Sequence, residues 1–212
     1  MLKTPIALAL LLTLGGATGV TAEDAGLYAA PPPPNVAFVR VINASVAADA
    51  GVGVGGIDFA VPPGAVSDYQ FVTMGSYEAA VPQGKLPVTL EAQKFYTLLL
   101  GGGTDTVLED AAIANPVRAG LYFYNATSTP LDLQARVNGK QAVVFSAVAP
   151  GTAVSREVNA FDVTFVVTSA DAAMAELPAI TMVRQQGVSV VALESGGKVT
   201  AIQAVNAIAS GD

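Results

Sequence analysis

Apolar positions along this chain come in short runs of strand character, with little trace of helical spacing. Val36-Ala37-Phe38-Val39-Arg40-Val41-Ile42 is a β-branched and aromatic run. Tyr69-Gln70-Phe71-Val72, Tyr77-Glu78-Ala79-Ala80-Val81 and Phe95-Tyr96-Thr97-Leu98-Leu99-Leu100 follow it. Such residues fit a pleated surface that is at least half buried. Between the runs stand Pro62-Pro63-Gly64, Pro82-Gln83-Gly84 and Gly101-Gly102-Gly103. Proline presets φ and glycine opens positive φ, so these triplets mark chain reversals. Residues 169–177 have good helix propensity, but the stretch is short and bounded by Pro178, and it reads as a loop or hairpin crossing. The pattern predicts an all-β chain.

The pattern also repeats. Phe38-Val39-Arg40-Val41-Ile42-Asn43-Ala44-Ser45 matches Leu121-Tyr122-Phe123-Tyr124-Asn125-Ala126-Thr127. Pro63-Gly64-Ala65-Val66-Ser67 matches Pro150-Gly151-Thr152-Ala153-Val154-Ser155 with one insertion, and residues 88–93 match 180–185, each block preceding a strand. Matches in the same order indicate duplication. The expected fold is two tandem antiparallel β-sandwich domains, over 36–110 and 118–212, with a linker at 111–117 where Pro116 interrupts the strand pattern. Each half has the length of a sandwich. Some relative mobility is the default for domains so joined.

Ahead of them, Lys3 precedes Ile6-Ala7-Leu8-Ala9-Leu10-Leu11-Leu12, and Val20-Thr21-Ala22 has the small-x-small form of a signal-peptidase site. The layout is that of a secretory signal over 1–22, cleaved between Ala22 and Glu23. A retained anchor is the alternative, disfavoured because the apolar run is short for a bilayer. Without cysteine there is no lipid acceptor. Residues 23–35 form a Pro-rich N-terminal segment, with Pro31-Pro32-Pro33-Pro34 a stiff extended spacer. The expected location is the periplasm.

Charge and composition narrow the function. Ten Lys and Arg stand against 17 Asp and Glu, for a net charge of −7. An acidic surface without a basic run disfavours nucleic acid. There is no histidine and no cysteine, which removes the usual general base, the thiolate nucleophile and the commonest metal ligands. No cofactor and no metal are expected. Gly51-Val52-Gly53-Val54-Gly55-Gly56 satisfies G-x-G-x-x-G, but Pro62-Pro63-Gly64 follows closely and leaves no room for the helix that pyrophosphate binding needs; a flexible loop is the expectation. Ser45, Ser67, Ser76, Ser128, Ser146 and Ser155 read as turn and strand-surface serines, since none has a base to activate it. Glu109 and Asp110 would face opposite ways on a strand and read as solvated acids. Asn43-Ala44-Ser45 and Asn125-Ala126-Thr127 match an N-glycosylation pattern, but their equivalent repeat positions suggest turn-capping asparagines. Tyr122-Phe123-Tyr124 places its tyrosines on one strand face and Phe123 on the other. By residue type, Arg40, Tyr69, Tyr122 and Arg156 are the candidates for a partner-binding surface.

The order of the blocks resembles a known family. Leu27-Tyr28, then 37–43, Gly120-Leu121-Tyr122-Phe123-Tyr124-Asn125, Ala149-Pro150-Gly151 and Ser155-Arg156-Glu157-Val158-Asn159 are similar to the AlgF family, periplasmic accessory proteins of alginate O-acetylation. The resemblance covers nearly all of the chain beyond residue 22. It implies two β-sandwich domains and a non-catalytic adaptor for acetylation of alginate or a similar exopolysaccharide. The implied partners are periplasmic O-acetyltransferases and a membrane-bound acyltransferase. A carbohydrate-binding module, with polysaccharide itself as partner, and a generic cell-surface module are the alternatives.

Overall fold

The computed structural model describes residues 32–209 apart from positions 46, 104 and 171. The expected export signal and its Ala22–Glu23 cleavage site lie outside the described residues. Every element is a strand. The first half holds β1 (Val36–Asn43), β2 (Ala50–Val54), β3 (Ile57–Val61), β4 (Ala65–Val66), β5 (Gln70–Thr73), β6 (Gly75–Val81), β7 (Gly84–Leu90), β8 (Phe95–Leu100) and β9 (Thr106–Asp110). The second holds β10 (Ala119–Ala126), β11 (Leu131–Val137), β12 (Lys140–Val148), β13 (Thr152–Val158), β14 (Asp162–Ser169), β15 (Ala172–Glu176), β16 (Ile180–Thr181), β17 (Gly187–Ser195) and β18 (Lys198–Val205). The 169–177 stretch is thus the β14–β15 hairpin.

The sheets repeat as the sequence does. An inner sheet ordered β4-β1-β8-β9, with β5 also on β1, corresponds to β13-β10-β17-β18. An outer sheet β3-β2-β6-β7 corresponds to β12-β11-β14-β15, with β16 on β14. Pairing is antiparallel except for β1 with β8 and β10 with β17, one parallel pair at the centre of each inner sheet. That parallel pairing follows from the route, because the chain builds the outer sheet before returning beside its first strand. Even a strained turn recurs: Gln93 and Gln185 have φ of 62° and 61°. The Gln93 N–H donates to the Val36 carbonyl and that of Gln185 to the Arg118 carbonyl.

Strands β1 and β10 are buried at every position, which explains their continuous apolar runs: both faces are covered. Alternate side chains sort into different cores. Ala37, Val39 and Val41 join Tyr96, Leu98 and Leu100 against Val52, Phe59 and Val88 of the first outer sheet. Leu121 and Phe123 join Val188 and Val190 against Leu133 and Phe165 of the second. The opposite faces meet each other: Ile42, Ala44 and Leu99 pack with Tyr122, Tyr124, Ala126, Val191 and Leu193. The result is four stacked sheets with a third core between the two inner ones. Each buried aliphatic residue there contributes about 1.5–3 kcal/mol relative to exposure. The two halves thus share a core, and the described residues form one compact unit.

Two sequence motifs resolve as structure. Gly55 and Gly56, with φ of 59° and 83°, form the two-residue turn of the β2–β3 hairpin, where Val54 pairs with Ile57. No helix follows, so the G-x-G-x-x-G match has no phosphate geometry. Asn43 and Asn125 are 1% and 0% exposed. The Asn43 amide donates to the Ala48 and Val61 carbonyls, both at 2.9 Å, and that of Asn125 to the Thr129 and Val148 carbonyls, both at 2.8 Å. They brace turns, and neither presents its amide for modification.

Candidate functional site

The seam between the inner sheets is apolar except at one end, where the structure assembles a polar cluster from both halves. Arg40 enters from β1 and is 1% exposed. Its Nε donates to Thr97 Oγ1 of β8 at 2.9 Å, and its Nη1 to Asn206 Oδ1 at 2.8 Å. Its Nη2 donates to Tyr124 Oη of β10 at 2.7 Å and to Ser189 Oγ of β17 at 2.9 Å. The Asp110 carboxylate, at the end of β9, accepts from the hydroxyls of Tyr69, Thr97 and Tyr124. It lies 3.9 Å from Arg40 Nη2. Thr97 and Tyr124 thus relay between the charges, each accepting from the guanidinium and donating to the carboxylate. Ser189 donates onward to Asn206 Oδ1 at 2.7 Å. The Arg40 guanidinium also lies over the rings of Tyr69 and Tyr124, 4.5 and 5.3 Å from their centroids.

Desolvation sets the titration of the cluster. Burial works to lower the pKa of Arg40, but the facing Tyr124, Tyr69 and Asp110 outweigh it and hold the guanidinium above its ordinary range. Burial pushes Tyr69 and Tyr124 far above the ordinary tyrosine value, with Arg40 acting against the shift. Tyr122 is pushed up to about 12, mainly by burial. At neutral pH these phenols are neutral hydrogen-bond donors, and among the described residues Arg40 and Asp110 are the buried charged side chains.

Small residues make room for this packing. Gly120 and Gly187 are register partners in the parallel pair. A Cβ on Gly187 would sit 2.5 Å from Asn206 Nδ2, and one on Gly120 would sit 2.8 Å from Tyr122 Cε2. The Tyr122 ring can lie there only over bare backbone, and its hydroxyl donates to the Ala111 carbonyl at 2.6 Å.

Two chain segments frame the cluster. The connector after Asp110 is fastened by Glu157 Oε1, which accepts from the Ala114 and Asn115 N–H groups. The chain after β18 crosses to the first half: the Tyr69 N–H donates to the Ala207 carbonyl at 2.9 Å, and the Ala209 N–H to the Tyr69 carbonyl at 2.8 Å. Between connector and tail opens a cleft of about 260 Å³. Phe95, Ala112, Ile113, Ala207 and Ile208 line it, together with Asp110, Tyr122 and Asn206.

This placement corrects several expectations. Arg40, Tyr69 and Tyr122 do not form an exposed patch with Arg156. They are 1%, 4% and 7% exposed and lie at the seam: Arg40 and Tyr122 because both faces of β1 and β10 are covered, and Tyr69, just before β5, beside the tail that crosses from the second half. Arg156 is exposed, with its guanidinium 5.7 Å from the Phe145 ring centroid. Asp110 is not a solvated acid: it is buried, whereas its neighbour Glu109 is exposed and pairs with Lys94 at 3.2 Å. Sequence reading gave no role to Thr97, Ser189 or Asn206. The available signal was an arginine within a continuous apolar strand, which demands partners wherever it is buried. Among the described residues no group of three or more Asp, Glu, His or Cys side chains is placed to hold a metal ion.

The fold and this cluster define a class: a duplicated β-sandwich protein whose halves are joined by a common core and a buried ionic network. The family model described as alginate O-acetyl transferase AlgF matches residues 9–190, and the chain belongs to the AlgF family. It is 34% identical over 181 residues to the alginate biosynthesis protein AlgF of Azotobacter vinelandii, covering 84% of this chain and 82% of that one. It is 31% identical over 198 residues to AlgF of Pseudomonas aeruginosa, covering 92% and 90%. The solved C-terminal domain of AlgF from P. aeruginosa aligns with 42% of this chain and 99% of its own, at 21% identity and a TM-score of 0.38.

Proposed function

We propose that this protein is a non-catalytic periplasmic adaptor in the O-acetylation of an exopolysaccharide, alginate or a close relative. It holds acetyltransferase components together without turning over substrate. The family supplies the pathway. The word transferase in the family's description is set against the chemistry of this chain, which has neither histidine nor cysteine. The observation that carries the reading is the closure of its buried polar cluster. Thr97, Tyr124 and Ser189 each both accept and donate within it; the Tyr124 and Ser189 hydroxyls join the two halves, and that of Thr97 links the two charges of the first. An acyl-transferring serine needs an adjacent base, and the residue types present make contact the better-supported mode of action.

Two measurements test this. Deleting the gene in its host should abolish polymer O-acetylation while polymer yield persists, and the wild-type chain should restore it. The purified chain should neither hydrolyse an acetyl ester nor pass acetyl to an oligosaccharide. Turnover that a single serine substitution removes would refute the adaptor reading.

A further inference from the structure

The cleft between connector and tail opens where a bulky pair in one repeat is a bare pair in the other. Phe38 and Phe95 are register partners, stacked at 4.2 Å between ring centroids, and their counterparts are Gly120 and Gly187. Phe95 and Gly187 line the cleft from the two halves. We propose that it receives one arginine side chain from a partner protein. The inference rests on the adaptor reading and assigns it a contact site.

Hydrogen-bond accounting points to the occupant. Asp110 can only accept, and among the described residues its Oδ1 has one donor, the Tyr124 hydroxyl; a carboxylate oxygen accommodates two. The Tyr69 hydroxyl gives its proton to Asp110 Oδ2 at 2.7 Å, and the Tyr122 hydroxyl gives its own to the Ala111 carbonyl at 2.6 Å. Each phenol oxygen therefore turns lone pairs, not a proton, to the cleft that all three residues line. Against these acceptors stand the amide of half-buried Asn206, whose Oδ1 accepts from Arg40 and Ser189, and exposed Gln185, which offers both a donor and an acceptor. Converging acceptors call for an occupant rich in donors.

Shape and charge select arginine. At about 260 Å³ the cleft is below the usual range for small-molecule pockets and suits one long side chain. Phe95, Ile113 and Ile208 supply apolar wall for an aliphatic stem, and a guanidinium carries five donors at its tip. It also stacks on aromatic faces, as the protein's own Arg40 does on Tyr69. No lysine or arginine is among the lining residues. The smaller clefts that adjoin the connector hold Glu109 and Glu157 against Arg156, and the chain carries −7 overall, so the approach of a cation is favoured. Arg40 offsets the charge of Asp110, and affinity comes from the converging acceptors and rings together. A sugar carboxylate would meet those same acceptors and be repelled.

The test uses occupants that differ in charge alone. The probe is an acetylated Gly-Arg-Gly amide peptide, titrated into the chain beyond residue 22 and followed by amide chemical shifts. Saturable shifts at Phe95, Ile113, Gln185 and Ala207 are expected. The same peptide with citrulline, which keeps the shape of arginine without its charge, should bind about tenfold more weakly, the difference between a hydrogen bond to a charged group and one to a neutral group. Tyr122→Phe keeps the ring and removes one acceptor, and should weaken the arginine peptide about fivefold. Ala112 and Ala207 are exposed and line the cleft, so Ala112→Trp and Ala207→Trp should occlude it and weaken binding by about thirtyfold or more, the loss typical of an anchor residue. Ala142→Trp, on the exposed edge strand β12, is the control. Equal binding of the citrulline peptide, an unchanged titration in both plugging variants, or saturation of the same amides by an uncharged oligosaccharide and not by the arginine peptide overturns the proposal. In the host, both plugging variants should lose polymer acetylation while Ala142→Trp keeps it. If they acetylate as wild type while the gene deletion does not, the cleft assignment falls and the adaptor reading stands.

Discussion

The two halves place different chemistry at the same structural positions. Strand registers make Arg40 the counterpart of Tyr122, and Thr97 that of Ser189. Asp110 pairs with Phe95 as Asn206 is bonded to Gly187, so the carboxylate of one repeat is the amide of the other. The first half therefore supplies both charges of the seam, and the second supplies neutral groups that complete their hydrogen bonds. Two copies of the charged version facing each other would bury a second ion pair, with a desolvation cost that Coulomb attraction rarely recovers. Duplication fixed the fold, and divergence across the seam gave it a single satisfied pair.

That asymmetry can be broken from several directions. The largest effect is expected from alkali. Tyr69, Tyr122 and Tyr124 have folded pKa values above the ordinary 10.0, so the folded state binds more protons than the unfolded one once pH passes that value. Their stabilising contribution is complete below pH 10 and is lost as pH rises, with Tyr122 ionising in the folded state at about 12. The slope is about 1.4 kcal/mol per pH unit for each tyrosine that ionises only on unfolding. Denaturant melts followed by tyrosinate absorbance should show it, and a flat profile from pH 9 to 11 (roughly the range that brackets an unperturbed phenol) would contradict the burial of all three.

Arg40→Ala strands the Asp110 carboxylate and should cost about 3–5 kcal/mol. Tyr122→Phe, at the equivalent position, loses one hydroxyl bond and should cost about 1 kcal/mol. Equal losses in urea denaturation would mean that the halves are not asymmetric in energy. Gly102→Ala tests the far end of the seam. Gly102 has φ +69° and a Cβ there would lie 2.3 Å from the Ala126 carbonyl oxygen, so a loss of about 2–3 kcal/mol is expected from strain. Asn43→Ala and Asn125→Ala probe what the halves kept in common. Each strands buried carbonyls and should cost about 2 kcal/mol, and the two values should be close because each amide donates to carbonyls of two turns and accepts from the N–H two residues on.

Much of the architecture was legible because strand patterning is local. The run 36–42 and the tyrosine–phenylalanine alternation at 122–124 show which faces are apolar, and the turn triplets show where the chain reverses. The duplication was legible because corresponding turns keep the same residues, down to Gln93 and Gln185. The seam was not. Arg40 and Asp110 are 70 residues apart, and nothing near either one names the other. An arginine is ordinarily a surface residue, so residue type alone placed Arg40 outside. Only the facing of two apolar sheets, which comes from tertiary packing, reverses that. The small residues at Gly120 and Gly187 were visible in the sequence, but their purpose depends on a ring and an amide that arrive from elsewhere.

The tail beyond β18 has a consequence for how the molecule comes into being. Arg40 sits near the start of the described chain, and its partner Asn206 sits 166 residues later, almost at the end. Pairings so distant close slowly, and this one cannot form until the chain has emerged past Asn206. The first half must therefore wait for β10 and β17 to cover its seam, and its arginine for Asn206 to complete its hydrogen bonds. A fusion partner attached directly after residue 209 would load the same closure, so a spacer at that end should speed refolding.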